Sequence, residues 1–95
     1  MQLTSWKVPG TNALKWRHWG GSFVVFNPAS GDTHFLNGLA GTILKFLEAG
    51  PATIEELLNH LEEVSGNPLD GELTEQIGRL VEQFDAVGLI EPRRL

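Results

Sequence analysis

The architecture of the chain can be inferred outward from residues 22–37, which read SFVVFNPASGDTHFLN. Phe and Val favour extended backbone, so a strand is expected over about residues 22–27. The turn-forming residues 27–32 follow it, and another strand over about residues 33–36 pairs back onto the first. Asn37 can then cap a helix, because its side chain can accept a hydrogen bond from a free N–H of the first turn. These residues predict a β-hairpin that runs directly into a helix.

The residues before this hairpin add one more strand. A strand is expected over about residues 14–19, with Leu14, Trp16 and His18 on one face and the residues between them on the other. Gly20-Gly21 then forms a two-residue loop, since both glycines can adopt positive φ. The result is a meander of three short antiparallel strands. Residues 1–13, which include Pro9-Gly10, are expected to be irregular.

The residues after the hairpin have apolar side chains at helical spacing and predict three helices. The first begins at Asn37, the second opens with a capping box over residues 53–56, and the third covers about residues 71–87. Gly88 ends the third helix in a left-handed conformation, and Leu89-Ile90 adds a short terminal strand. Strands followed by helices define an α+β fold. We therefore predict a winged-helix-like domain, with a three-stranded antiparallel meander followed by three helices.

The composition of the chain excludes several classes of protein. Its 95 residues suffice for a single domain, residues 1–95, and the absence of cysteine removes disulfides, thiolate zinc sites and a Cys nucleophile. No run approaches the roughly 18 apolar residues of a membrane span, and Met1–Trp6 lacks the pattern of a signal peptide. We therefore expect a cytoplasmic protein. The net charge of −5 argues against general nucleic-acid binding, which needs a basic face.

Residues that could carry catalysis or bind a metal do not converge in the sequence. His18, His34 and His60 fall in three different predicted elements, and none has a ligand partner across a turn at the spacing of about two to four residues that zinc sites show. His60 has Glu56 and Glu63 nearby, but a solvated helix face has the same composition. We expect no catalytic residue, no metal site and no cofactor, and hence no enzyme.

The winged-helix-like order of elements leaves DNA binding open as one function. A recognition helix needs Arg, Lys, Asn or Gln at exposed positions to contact base edges. The predicted third helix carries Arg79 as its only basic residue, against the acidic Glu72, Glu75, Glu82 and Asp85. Phosphate contacts would be repulsive overall. DNA binding is therefore the alternative function, together with a protein–protein adaptor role.

Peptide recognition is the other function, and it depends on the strand over residues 33–36. A meander in a small domain must expose an edge, whose unpaired N–H and C=O groups can accept another strand. The strand carries neither the Lys nor the Pro that usually protects such edges. If the third helix lies beside it, the apolar stripe with Leu80 and Phe84 would form the floor of a groove, although the spacing favours core positions for those residues. Gln76 and Gln83 flank the stripe and form the expected rim, and the spacing leaves open which flank faces the strand.

The run FNPASGDTHFLN, residues 26–37, resembles the PqqD-like family of peptide chaperones. Residues 40–50 and the closing Gly88-Leu89-Ile90 are similar to that family as well, and the resemblance covers about residues 14–92. The motif Asn-Pro-Ala-Ser-Gly-Asp-Thr-His is typical of the branch found beside HPr-kinase-related proteins. PqqD itself has a Pro-Glu motif before its third strand, where this chain has Asn27-Pro28-Ala29.

The resemblance implies a recognition element for the leader segments of ribosomally made, post-translationally modified peptides. In that family a winged-helix-like domain binds the leader as an added strand and delivers it to a separate modifying enzyme, without catalysing a reaction. The implied partners are a precursor peptide and a peptide-modifying enzyme, with no nucleic acid and no membrane, and the open edge also permits a homodimer. The peptide-binding residues that the resemblance implies are Thr33, His34, Phe35 and Leu36 on the strand, and Gln76, Leu80, Gln83 and Phe84 on the helix.

Overall fold

The computed structural model describes residues 4–10, 12–66 and 71–94. The three predicted strands and three predicted helices are present, and one strand is added at each end of the chain. The predicted α+β class is confirmed, and the arrangement is compatible with a winged-helix-like fold. The elements are β1 (Thr4–Lys7), β2 (Lys15–Trp19), β3 (Ser22–Asn27), β4 (Asp32–Leu36), α1 (Gly38–Ala49), α2 (Ile54–Ser65), α3 (Gly71–Ala86) and β5 (Glu91–Arg94).

Strands β2, β3 and β4 form an antiparallel sheet in that order, with β3 in the centre. Gly20-Gly21 makes the β2–β3 loop, and Gly20 has a φ of 62°, which glycine adopts without a Cβ clash. The buried Asn27 holds the β3–β4 turn. Its carbonyl oxygen accepts a hydrogen bond from the Gly31 N–H at 2.8 Å, and its side-chain oxygen accepts one from the Ala29 N–H at 3.1 Å. The turn predicted over residues 27–32 is confirmed.

Side-chain caps start the first two helices where the sequence predicts them. Asn37 caps α1, because its Oδ1 accepts a hydrogen bond from the Ala40 N–H at 2.8 Å. Thr53 and Glu56 form the capping box of α2: the Thr53 Oγ1 accepts from the Glu56 N–H at 3.1 Å, and the Glu56 Oε1 accepts from the Thr53 N–H at 3.0 Å. Gly88, with a φ of 79°, follows α3 as predicted. No helix in the described ranges has the length and apolarity needed to cross a membrane.

One face of the sheet packs against the helices and forms the core. Val25 of β3 and Leu36 of β4 are buried on this face. Gly41 of α1 permits the close approach of helix and sheet, because a Cβ at this position would overlap the ring of Phe23. The helices, the α1–α2 connection and the segment after α3 supply the rest of the core. It consists of Ile43, Leu44, Leu47, Leu57, Leu61, Ile77, Val81, Phe84, Leu89 and Ile90, with Ala40 and Ala52.

The two ends of the chain pair with each other, which the sequence did not predict. β1 and β5 form an antiparallel two-stranded sheet. The prediction that residues 1–13 are irregular is therefore wrong for Thr4–Lys7. The terminal strand expected at Leu89-Ile90 is wrong as well, since these two residues are buried in the core and β5 follows them. Two main-chain hydrogen bonds join β1 to the domain, from the Trp6 N–H to the Ala52 carbonyl at 2.7 Å and in the reverse sense at 3.0 Å.

Candidate functional site

A groove of about 630 Å³ lies between the edge strand β4 and helix α3. The four predicted strand residues, 33–36, line one wall of it. Leu80, Gln83 and Phe84, which belong to the predicted helix wall, line the other. In the described part of the chain, β4 pairs only with β3, so its outer edge is free beside this groove. The structure therefore brings together two elements that are far apart in the sequence.

The groove continues along α3 into a smaller hollow of about 250 Å³. Asn37, Leu80 and Gln83 line both parts, and Gln76 and Arg79 belong to the smaller one. Residues 76, 80 and 83 lie on one side of the helix, because neighbours three and four apart share a face. This is the flank of α3 that faces β4. All eight predicted site residues thus lie along one continuous groove.

Several lining residues of the larger part were missed at the sequence level. Asn37 did offer a signal, because a residue that joins the edge strand to α1 must lie at the end of any groove along that strand. Val87 offered none: it continues the apolar stripe that packs the core, yet its side chain is 44% exposed. The missed residues are Asn37, Ala40, Ala86, Val87 and Leu89.

The main-chain groups of β4 point alternately toward β3 and toward the free edge. In an antiparallel ladder, pairs that exchange hydrogen bonds alternate with pairs that do not. The Asn27 carbonyl accepts a hydrogen bond from the turn that leads into β4, so the main-chain groups of Asn27 point toward β4. The same direction holds for every second residue before Asn27, including Val25. His34, the partner of Val25, therefore bonds to β3. It follows that Thr33 and Phe35 direct their N–H and C=O groups at the free edge.

The side chains of β4 alternate between the two faces of the sheet. His34 and Leu36 face the helices, since Val25, opposite His34, is buried in the core. Thr33 and Phe35 face the other way, and Phe35 is 78% exposed. The Nε2 atom of His34 is buried and has no hydrogen-bond partner among the described residues. The strand wall of the groove thus consists of the free main-chain groups of β4, with the imidazole of His34 on the side of the sheet that faces the helices.

The groove is apolar at its floor and almost uncharged along its walls. No Asp, Glu, Lys or Arg lines its larger part among the residues that the structure describes. Arg79 lies at the smaller end, 3.8 Å from Glu75, and both side chains are 74% exposed. A pair this exposed contributes little to stability. Unpaired main-chain groups beside an apolar floor suit an extended segment of polypeptide better than a charged small molecule.

Two of the histidines pack against aromatic rings. His60 stacks on Phe46 with ring centroids 4.2 Å apart, and His18 stacks on Phe23 with centroids 4.9 Å apart. Among residues 4–10, 12–66 and 71–94, no group of three or more His, Cys, Asp or Glu side chains could hold a metal ion. Neither of these two histidines lines the groove.

The fold and the groove define a small α+β domain with an open strand edge beside a helix. The chain belongs to the PqqD family, because the family model described as coenzyme PQQ synthesis protein D (PqqD) matches residues 22–90. This range contains β3, β4 and all three helices, so both walls of the groove lie within it. The resemblance to PqqD-like proteins is confirmed. No curated protein matches the chain, and no solved structure matches it. Family membership supports a role as a partner protein in the synthesis of PQQ or of another ribosomally made, modified peptide.

Proposed function

We propose that this chain captures the leader segment of a ribosomally made precursor peptide as an added strand along β4 and presents it to a separate modifying enzyme. The observation that carries the proposal is the groove between the free edge of β4 and α3. Thr33 and Phe35 supply main-chain donors and acceptors to the added strand. The apolar floor, with Leu80 and Phe84, receives the side chains that this strand directs inward.

The dimensions of the groove fit a short extended segment. β4 has five residues, and a strand rises about 3.4 Å per residue, so it pairs with a segment of similar length. Alternate side chains of that segment point toward the helices and the others point away. A volume of about 630 Å³ also lies within the range of roughly 300–1,000 Å³ that ligand sites occupy. Affinity should be modest, because ordering a flexible peptide offsets part of the contact energy.

The proposal includes the partners and setting that the resemblance implies. The peptide is handed to an enzyme that carries the chemistry, and the chain itself has no catalytic residue and no cofactor. It acts in the cytoplasm, in the branch found beside HPr-kinase-related proteins. A homodimer formed through β4 would use the same edge, so peptide binding should compete with it.

DNA binding is less well supported by the charges on α3. Eight of the twelve acidic residues of the chain lie on α2 and α3. On α3 the exposed Glu72, Glu75, Glu82 and Asp85 stand against the single Arg79. A helix of this charge repels phosphates, so it does not fit the major groove.

A library of random twelve-residue peptides displayed on phage tests the proposal, because the selection does not require the precursor to be identified first. Peptides selected on the chain are synthesised and titrated into isotopically labelled protein, and amide shifts are mapped by NMR. We expect the largest shifts over residues 33–36 and along α3. If none of the selected peptides shifted the amides of residues 33–36 and of α3, the strand-addition site would be contradicted.

A matched pair of substitutions separates the groove from general effects of added charge. Leu80→Glu places a carboxylate on the groove floor, where both hollows meet. Val64→Glu places the same group on α2 at a residue that is 66% exposed and lines neither part of the groove. Circular dichroism establishes that both variants fold. We expect Leu80→Glu to weaken binding of the selected peptides by about tenfold or more, since the bound peptide would cover a carboxylate that has no partner. Val64→Glu should leave binding unchanged. Equal effects of the two substitutions would count against the groove.

A further inference from the structure

The face of the β2–β3–β4 sheet that points away from the helices is unusually apolar for a surface open to water. Antiparallel sheets of this kind commonly carry polar residues on the solvated side. Here Phe35 is 78% exposed and Phe26 is 37% exposed, and Val24 lies directly opposite Phe35. We call this surface the outer face. Its residues, taken from the strand register, are Lys15, Arg17, Ser22, Val24, Phe26, Thr33 and Phe35.

The charge of the outer face is opposite to that of the chain as a whole. Lys15 is opposite Phe26, and Arg17 is opposite Val24, so two cations border the apolar residues. Both cations are exposed, and neither forms an ion pair with a residue that the structure describes. No described Asp or Glu shares this face, although the chain has a net charge of −5.

We propose that the outer face is a docking surface for a partner protein whose own surface carries carboxylates around an apolar centre. Phe and Arg are enriched at the centres of protein interfaces, and opposite charges at the rim orient the partner and speed association. A second copy of this chain is a poorer occupant, because two outer faces packed together would bring their cations close to one another. A lipid surface is also a poorer occupant, since such sites carry about four to eight clustered Lys or Arg and this face has two.

The outer face lies next to the groove but is separate from it. The main chain of Phe35 borders the free edge, whereas its side chain lies on the outer face. If the proposed function holds, a peptide added at β4 would extend the sheet, and every second side chain of that peptide would lie beside Phe35. A partner seated on the outer face would then contact both the domain and its cargo. Docking on this face does not require a bound peptide, so it can be tested alone.

The test uses the same phage-displayed library of random twelve-residue peptides, selected on the full chain. We expect a class of peptides rich in Asp, Glu and apolar residues, distinct from those that bind the groove. A synthetic peptide of this class should shift the amides of β2 and β3. The double substitution Lys15→Glu with Arg17→Glu should weaken its binding by about tenfold or more, because attraction at two positions becomes repulsion. Raising the salt from about 50 to 500 mM should weaken it as well.

The matched control is Lys7→Glu with Arg93→Glu. It changes the net charge by the same amount but acts on β1 and β5, where the exposed Lys7–Glu91 ion pair is replaced by two facing carboxylates. We expect this control to leave binding nearly unchanged. Phe26→Ser provides a second variant that removes apolar contact without altering charge, and it should also weaken the acidic peptide.

Other outcomes would overturn the proposal. The absence of a class of acidic peptides would overturn it. Equal losses of affinity in the two double variants would overturn it as well, since general charge repulsion would then explain both losses. Binding to vesicles of phosphatidylcholine and phosphatidylserine that is lost in the Lys15 and Arg17 variant would assign the face to a membrane. Concentration-dependent dimerisation lost in that variant would assign it to a second copy. If no selected peptide bound the groove while acidic peptides still bound the outer face, the proposed function would be refuted and the docking surface would still be supported.

Discussion

Proline substitutions at two adjacent positions of β4 test which main-chain groups face the free edge. Proline has no N–H, so it is tolerated in a sheet only where that N–H points to solvent. The alternation along β4 places the Phe35 N–H at the free edge and pairs the His34 N–H with Val25. Phe35→Pro should therefore leave the sheet intact, whereas His34→Pro should damage it.

The expected difference follows from the burial of the two positions. His34→Pro leaves the carbonyl of Val25 unpaired, and Val25 is 0% exposed, so the cost should be about 1–3 kcal/mol of unfolding free energy. For a domain of this size, that lowers the melting temperature by about 4–8 °C per kcal/mol. Phe35→Pro removes no hydrogen bond of the β3–β4 ladder, and Phe35 is 78% exposed, so its cost should stay within about 0.5 kcal/mol.

Thermal and urea unfolding followed by circular dichroism measure these effects. His34→Ala and Phe35→Ala are the controls, because each loses the same ring as its proline variant but keeps the N–H. We expect a large proline-minus-alanine difference at residue 34 and a small one at residue 35. Hydrogen exchange in the unsubstituted protein should agree, with the Phe35 amide exchanging fast and the His34 amide protected.

Peptide binding should show the reverse order. Phe35→Pro removes a donor that the added strand needs and leaves the peptide carbonyl unpaired, at a cost of about 1–3 kcal/mol. This corresponds to binding about five-fold to over a hundredfold weaker than for Phe35→Ala. If Phe35→Pro unfolds the domain while His34→Pro does not, the deduced direction of the main-chain N–H groups on β4 is wrong. If both fold and Phe35→Pro binds as well as Phe35→Ala, strand addition at β4 is wrong.

Two further predictions concern the stability of the scaffold. Gly41→Ala should lower the unfolding free energy by about 1–3 kcal/mol, because the new methyl group overlaps the ring of Phe23. Gly78→Ala, in the middle of α3 with open space around its Cβ position, should instead raise the unfolding free energy by up to about 1 kcal/mol through helix propensity. Melting temperatures that change in the same direction for both variants would refute the packing argument. Thr53→Ala removes the capping box with Glu56 and should cost about 1 kcal/mol in urea titrations, with Thr53→Ser as the control that restores it.

Local chemistry in the sequence was sufficient to predict most of the elements. Turn residues predicted the two loops of the sheet, and the side-chain caps at Asn37 and Thr53 predicted where α1 and α2 begin. These signals work because each depends on atoms within a few residues of one another. Helical spacing predicted the three helices. The eight candidate site residues came from the edge argument together with the family resemblance.

Tertiary structure alone decided the features that depend on distant parts of the chain. β1 pairs with β5 across nearly the whole sequence, and no local pattern specifies a partner so far away. The flank of α3 that faces β4 depends on how the helix packs on the core, because both flanks have similar composition. The direction of each main-chain group on β4 depends on its register with β3, which the turn at Asn27 sets. The sequence therefore determined that an open edge and a helix with an apolar stripe exist, whereas packing and register decided that they form two walls of one groove.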